Sequence, residues 1–297
     1  MKNGVTLLFV LIILAGLFMA NTSPVKAQST NIYINPDGTV VGTNNIQRNG
    51  DLYTLTGNIS GGIQIQKSDI VIDGTGYTLQ GNGGTGIDLT NNVTQVPSSR
   101  EIWNVTVENL RIMNFNFSVE TNGGGNDTFY DDYMANTTNA IRGGIFFWGT
   151  YGSNITYCTI SGTPAIDLDF VSSSNTVTEN NLSGGMWLLM GGGNTVDRNY
   201  WSDYLTKYSN ATEIGSSGIG NTPYVFYSNG AVGVLQDNHP LMKPVSIPNF
   251  GAPSSSLSAS TSPSPSIPEF QSWIILPLIT VFIIGAGLLV YFKKRKH

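Results

Sequence analysis

Short alternations of apolar and polar residues run along most of the chain, and one pattern recurs. The pattern has four clear copies and two looser ones, which begin at Ile70 and Val105. Successive clear copies start about 22 residues apart, a spacing that fits one coil of a parallel β-helix. Such a coil cannot bury its apolar face until a neighbouring coil stacks on it. Four clear copies carry the prediction of an all-β parallel β-helix: Phe129–Met134, Ile155–Ile160, Val177–Leu182 and Val196–Trp201.

A second series of alternating runs lies between these copies, and each run predicts a short strand with one buried face. Met186 and Met190 fall in one of these runs and are expected to pack near the core. No helix of any length is expected between Ala27 and Trp273. The runs are Gly86–Leu89, Ile145–Trp148, Ala165–Phe170 and Gly185–Met190.

The repeat also aligns polar side chains. Asn180 and Asn199 occupy one coil position, where stacked amides can hydrogen-bond along the solenoid axis as a ladder. Asp132 and Cys158 take the equivalent places, so the single cysteine is interpreted as a buried thiol rather than a nucleophile. Trp201 falls at an apolar position of the repeat and is expected to pack in the core or to cap the last coil.

The N-terminal residues 1–27 are typical of a signal peptide. Lys2 precedes the uncharged block Val5–Ala20, and small residues allow cleavage after Ala27. An uncleaved signal anchor is the alternative, because the apolar block is slightly long for a signal core.

The C-terminal residues predict a membrane anchor. Residues 273–292 carry no charge and, at about 1.5 Å per residue, would span roughly 30 Å as a helix. The basic residues 293–297 form a cytoplasmic tail, which places the bulk of the chain outside the cell. The Ser- and Pro-rich residues 249–272 predict an extended stalk. The folded β-helix domain, with a C-terminal capping segment, is therefore expected over residues 28–248.

Composition excludes several classes of function. Residues 28–272 contain eight Lys and Arg against 19 Asp and Glu, a formal charge of −11, so nucleic acid is not an expected partner. Clusters of His, Met or Cys that would bind a soft metal are absent from the sequence pattern, and no metal or cofactor is predicted.

Several segments resemble archaeal cell-surface β-helix proteins of the NosD-like type, whose CASH domain is found in carbohydrate-binding proteins and sugar hydrolases. The resemblance covers nearly the whole predicted ectodomain and implies a right-handed β-helix at the cell surface, without a defined reaction. It is carried by Tyr53–Ser60, Ile70–Gln80, Asn199–Tyr204, Gly218–Val225 and His239–Pro244.

The C-terminus resembles a second signal. Pro268, Glu269 and Phe270, followed by the apolar span and the basic cluster, are similar to the PEF-type sorting tails attributed to archaeosortase substrates. This resemblance implies that the span is removed and replaced by another anchor. A permanent one-pass anchor is the alternative.

Two carboxylates are candidates for catalysis. With Ile166, Leu168 and Phe170 facing inward, Asp167 and Asp169 would face outward, roughly 7 Å apart along the strand. That separation suits an inverting glycoside hydrolase. Outward acidic residues are equally typical of a solvated strand. A polysaccharide lyase would instead combine aspartates with calcium and an Arg or Lys.

Aromatic and asparagine side chains suggest contacts with glycans. Tyr200 and Tyr204 are candidates for stacking on sugar rings. Asparagines in nine Asn-x-Ser/Thr sequons are potential glycosylation acceptors in an exported chain. They are Asn58, Asn92, Asn104, Asn116, Asn126, Asn136, Asn154, Asn181 and Asn210.

Taken together, these features favour a surface-anchored β-helix that serves as an envelope structural or glycan-binding module. Its expected partners are envelope polysaccharide or surface-layer components. The alternative is a carbohydrate-active enzyme, hydrolase or lyase, that uses outward-facing aspartates.

Overall fold

The computed structural model describes residues 32–90, 101–135, 143–229, 236–248 and 250. All of them lie in one compact unit. The predicted signal peptide, most of the stalk, the sorting motif and the span at residues 273–292 lie outside these residues. The described residues include no helix long and apolar enough to cross a membrane.

Three sheets, which we call A, B and C, form the sides of a parallel β-solenoid. In every coil the chain contributes a strand to sheet B, then to sheet C, then to sheet A. In sheet A, the strands are β1 (Ile32–Ile34), β2 (Val40–Val41), β6 (Ile63–Ile65), β9 (Thr85–Leu89), β12 (Phe117–Asn122), β15 (Ile145–Trp148), β18 (Ile166–Asp169), β21 (Met186–Leu189) and β25 (Tyr227–Asn229). They lie in the order β2-β1-β6-β9-β12-β15-β18-β21-β25. All pair in parallel except β1 with β2.

Sheets B and C form the other two sides. Sheet B contains β3 (Ile46–Asn49), β4 (Leu52–Leu55), β7 (Ile70–Asp73), β10 (Val105–Glu108), β13 (Thr128–Tyr130), β16 (Asn154–Thr156), β19 (Thr176–Thr178) and β22 (Thr195–Asp197). Sheet C contains β5 (Ile59–Ser60), β8 (Thr78–Gln80), β11 (Arg111–Met113), β14 (Tyr133–Ala135), β17 (Thr159–Ser161), β20 (Asn181–Ser183) and β23 (Tyr200–Trp201). At the N-terminal edge of sheet B, β3 pairs antiparallel with β4.

Strand register confirms the repeat. Phe129 pairs with Ile155, Ile155 with Val177, and Val177 with Val196. Each of these side chains is buried, so one apolar residue per coil stacks on the next to build the core. Helix is limited to one turn among the described residues, α1 (Tyr204–Lys207).

Two residues of the predicted sheet A runs face the other way. Phe170 is 47% exposed and Met190 is 54% exposed, so the expectation that both pack inward is wrong. Each follows the last residue of its strand and has left-handed backbone, with φ of 45° and 56°. The chain turns a corner there, and the period-two alternation of the strand no longer applies. Met186, inside β21, is buried as expected.

Polar ladders join the coils at two corners. At the corner between sheets B and C, the Cys158 N–H donates to Asn180 Oδ1 at 2.9 Å, and the Asn180 N–H donates to Asn199 Oδ1 at 3.1 Å. Asp132 accepts the Leu110 N–H at 2.9 Å in the same position. These bonds confirm the predicted ladder. A second ladder, which the sequence analysis missed, lies at the corner before sheet B and contains Asp127, Ser153, Asn175 and Asn194.

The C-terminal segment caps the last coil. Strands β24 (Tyr224–Val225) and β26 (Gln236–Asp237) pair antiparallel. The buried carboxylate of Asp237 accepts the Asn199 N–H at 2.8 Å and the Trp201 indole N–H at 3.0 Å. Trp201 stacks on Tyr224 with ring centroids 4.1 Å apart, so it does pack in the core and cap the coil.

Candidate functional site

The outer face of sheet A brings aromatic and acidic side chains into register. Inward residues of its strands, such as Ile145, Ile166 and Leu168, are buried in the core. The alternate residues face outward and form a column along the solenoid axis, one per coil, at about 4.8 Å per step. The column, fixed by the parallel register, is Gln64, Asp88, Glu120, Phe146, Asp167, Trp187 and Tyr227.

Six aromatic rings on this face form what we call the aromatic strip: Phe117, Phe146, Trp148, Phe170, Trp187 and Tyr227. Trp148 and Phe170 stack almost parallel, with centroids 4.9 Å apart and planes at 7°. Tyr227 is 55% exposed and lies 5.9 Å from Trp187. Flat, partly exposed rings at successive coils give the face a ridge on which the apolar side of a sugar ring can pack.

The face is acidic. None of its described strands contains Lys or Arg, whereas Asp88, Glu120, Asp167 and Asp169 lie on its outer side. The negative charge disfavours polyanionic ligands, including uronic acid polymers. Neutral glycans and amino sugars meet no such repulsion.

The two predicted catalytic carboxylates occupy the expected outward positions in β18, but neither is exposed. Asp167 is fully buried and Asp169 is 5% exposed. Asp167 lies between Phe146 and Trp187 in the register, and Asp169 Oδ1 accepts the Phe170 N–H at 2.6 Å. In this conformation the carboxyl groups do not reach the surface that a polysaccharide would contact. Their assignment to catalysis stays a prediction.

A second acidic pair, Asp88 and Glu120, lies nearer the N-terminal end of the face. Asp88 and Glu120 are register neighbours on β9 and β12. Burial raises the pKa of Glu120, and the charge of Asp88 adds to the shift, although a hydrogen bond of 2.8 Å from the Thr85 hydroxyl opposes it. Asp88 accepts two hydrogen bonds from Thr90, from its N–H and its hydroxyl. The Glu120 carboxyl group is thus shifted toward its protonated form, next to an Asp88 side chain that accepts two hydrogen bonds.

The two tyrosines proposed for glycan stacking lie at the cap, away from this face. Tyr204 is 1% exposed, and its hydroxyl donates to the Thr222 carbonyl at 2.6 Å. The sequence prediction is therefore corrected for Tyr204, because a buried ring offers no face to a sugar. Tyr200 is half-buried in β23, where burial raises the pKa of its hydroxyl.

The sequons divide by exposure. Asn181 is fully buried, and its side-chain amide holds the backbone of Val245 through two hydrogen bonds, of 2.9 and 2.8 Å. The folded chain therefore cannot carry a glycan at Asn181, and that prediction is corrected. Asn116 is half-buried, and Asn92 and Asn136 lie outside the described residues. The exposed acceptors are Asn58, Asn104, Asn126, Asn154 and Asn210.

Other chemistry is limited in the described part of the chain. It contains no group of three or more His, Cys, Asp and Glu side chains arranged to hold a metal ion. Cys158 is buried, and burial raises the pKa of its thiol well above the usual range. The interpretation of Cys158 as a structural thiol agrees with this environment.

Comparison with protein-family models, curated proteins and solved structures gives no significant match to this chain. The functional assignment therefore rests on the geometry of the outer face.

Proposed function

We propose that this protein is a glycan-binding module of the cell envelope that uses the outer face of sheet A. The observation that carries the proposal is the aromatic strip, in register with acidic side chains along the solenoid axis. Partly exposed rings pack on sugar C–H faces. The carboxyl groups of Asp88 and Glu120, which are not fully buried, can accept hydrogen bonds from sugar hydroxyls. The proposed ligand is a neutral or amino-sugar polysaccharide of the envelope.

The proposed location follows from the sequence. A signal peptide, a stalk and a C-terminal anchor would hold the solenoid outside the membrane. The NosD-like resemblance and the PEF-type tail support the same placement and belong to this proposal. Envelope polysaccharide and surface-layer components are the proposed partners.

The test is retention of the purified full-length chain on a panel of immobilised polysaccharides. Trp148→Ala and Trp187→Ala are expected to reduce retention at least tenfold, because each removes a ring from the aromatic strip. Tyr77→Ala is the matched control, since Tyr77 is 38% exposed outside the strip. Equal retention of both Trp variants and the control would exclude the strip as the binding surface.

A second candidate function is glycoside hydrolysis, and the Asp88–Glu120 pair favours it. In retaining enzymes the two carboxyl groups lie about 5–5.5 Å apart, and the spacing of adjacent strands is about 4.8 Å. Asp88 would attack the anomeric carbon as the glycosidic C–O bond breaks, and Glu120, whose pKa is raised, would protonate the leaving oxygen. Water, deprotonated by Glu120, would then hydrolyse the glycosyl ester on Asp88 and release the sugar. This pair replaces Asp167 and Asp169 as the better placed site, because it is not fully buried.

The enzymatic candidate is tested by incubating the full-length chain with the same polysaccharides and measuring new reducing ends. Glu120→Gln is expected to reduce release at least a hundredfold while retaining binding. Unchanged sugar release by Glu120→Gln would exclude a catalytic role for this pair. If the parental chain releases no sugar, the hydrolase function is excluded and only the glycan-binding function remains.

A further inference from the structure

A groove of about 650 Å³ lies at the corner between sheets C and A in the first coils. Two consecutive turns of the chain form its walls, residues 60–64 and 80–85. Ile63 and Phe115, both almost fully buried, lie at its base. The groove therefore combines a small apolar base with walls of backbone and polar side chains.

Glycines make up much of the groove lining. Gly62 and Gly81 have no room for a side chain, because a Cβ would meet the Thr85 carbonyl or the Phe115 ring. Gly83 and Gly84 have φ of 89° and 68°, which favour glycine at the turn. Because Gly62 and Gly81 carry no side chains, neighbouring parts of the chain approach them closely, while a Cβ at Gly84 would meet nothing within 4 Å.

Polar side chains flank the glycines in register pairs. Gln64 and Asp88 are neighbours on sheet A, and Ser60 and Gln80 are neighbours on sheet C. Asn82 also lines the groove and is exposed. Within the described residues, the side-chain amides of Gln64 and Asn82 make no hydrogen bond to protein, so each offers a donor and an acceptor to a ligand.

The lining disfavours anionic ligands. Asp88 is the one charged side chain among the lining residues, and no cation balances a bound anion. Side-chain amides and a carboxylate spaced about 4.8 Å apart can hydrogen-bond to neighbouring hydroxyl groups of a ligand, because hydroxyl groups both donate and accept. A neutral saccharide fits this chemistry better than a phosphate, a uronic acid or an apolar chain.

We propose that the groove is a hydroxyl-recognising subsite for a neutral saccharide, continuous with the aromatic strip. This inference rests on the proposed glycan-binding function. Asp88 belongs both to the groove and to the outward column that continues to Trp187. Four strand steps separate the two residues, about 19 Å, so a ligand that reaches both must be an oligosaccharide rather than a disaccharide.

The experiment measures binding of three neutral probes, cellohexaose, mannohexaose and chitohexaose, to the full-length chain in detergent micelles by titration calorimetry. The groove variant is Gln64→Ala with Asn82→Ala, and the strip variant is Trp187→Ala. Gln47→Ala is the matched control, because Gln47 is an exposed amide of β3 that does not line the groove. Thermal unfolding of each variant checks that the fold is retained.

We expect at least tenfold weaker hexasaccharide binding in both the groove and strip variants, with no change in the control. Binding unchanged in the groove variant but weakened in the strip variant would overturn the groove and leave the proposed function intact. Binding weakened only in the groove variant would support the groove as a saccharide subsite and would contradict glycan binding by the aromatic strip. Absence of binding of all three probes to the parental chain would overturn both.

Discussion

The side-chain amide of Asn180 donates a hydrogen bond to Oδ1 of Asn199, 3.0 Å away in the next coil. The same oxygen accepts the Asn180 backbone N–H at 3.1 Å. The Asn199 side chain therefore holds both the backbone and the side-chain amide of Asn180. Asn180 repeats the backbone bond of this arrangement with Cys158, whose N–H donates to Asn180 Oδ1. The ladder thereby links the spacing of the coils to side chains that lie far apart in sequence.

Replacing Asn180 by Ala is expected to destabilise the fold by about 2–4 kcal/mol, because it leaves the Cys158 N–H and the Ile155 carbonyl buried without their partner. Urea unfolding followed by circular dichroism measures the loss. Asn154→Ala is the control, since Asn154 lies exposed on β16 of the preceding coil. A loss of equal size in both variants would contradict the importance of the ladder.

The free energy of unfolding is expected to fall as the pH rises, because of the buried carboxyl group of Asp127. Burial raises its pKa from 3.8 to about 7, and the Val105 N–H only partly opposes the shift. The folded state therefore holds a proton that the unfolded state releases, and the free energy of unfolding declines by about 1.4 kcal/mol per pH unit between pH 4 and 7. Over the whole window the decline is on the order of 4 kcal/mol.

The matched variant is Asp127→Asn, because Asn175 and Asn194 occupy the same ladder position in later coils. It retains an oxygen for the Val105 N–H and removes the titrating group. We expect unfolding midpoints that depend less on pH in the variant, with higher stability than the parent at pH 8. An unchanged pH profile would show that Asp127 ionises normally.

The Cys158 thiol is expected to resist labelling in the folded protein. It is fully buried, its Sγ lies 3.4 Å from the Phe129 carbonyl, and burial raises its pKa. A maleimide reagent should therefore label it only after denaturation, as detected by mass spectrometry. Rapid labelling under native conditions would indicate an accessible thiol and would contradict its place in the ladder.

Asn181 is expected to carry no glycan in a chain purified from its native envelope, in contrast to a sequon such as that of Asn154. Asn181→Ala should destabilise the fold by about 1–3 kcal/mol, because Val245 loses both of its hydrogen bonds to the side chain. Glycopeptide mapping tests the first expectation and urea unfolding the second. A glycan found at Asn181 would require this corner of sheet C to open.

Much of the fold can be predicted from the local repeat of apolar residues in the sequence. The anchors at Phe129, Ile155, Val177 and Val196 predict the coil register that the structure contains, because each coil must present its apolar residues to the same core. The place of Trp201 follows from the same argument, since the register puts it on Leu182.

The candidate site depended on contacts that no local pattern contains. Alternation predicts on which side of β18 Asp167 lies, but not whether other parts of the molecule cover that side. Glu120 meets Asp88 only because coils of unequal length stack in register, and the Asn181 sequon is buried by a segment 64 residues further along the chain. The sequence by itself determined the repeat, the ladder and the direction of side chains within strands, because these follow from the period of the backbone. The tertiary structure alone decided which outward side chains are exposed and which are neighbours, because both depend on how distant coils and the cap pack together.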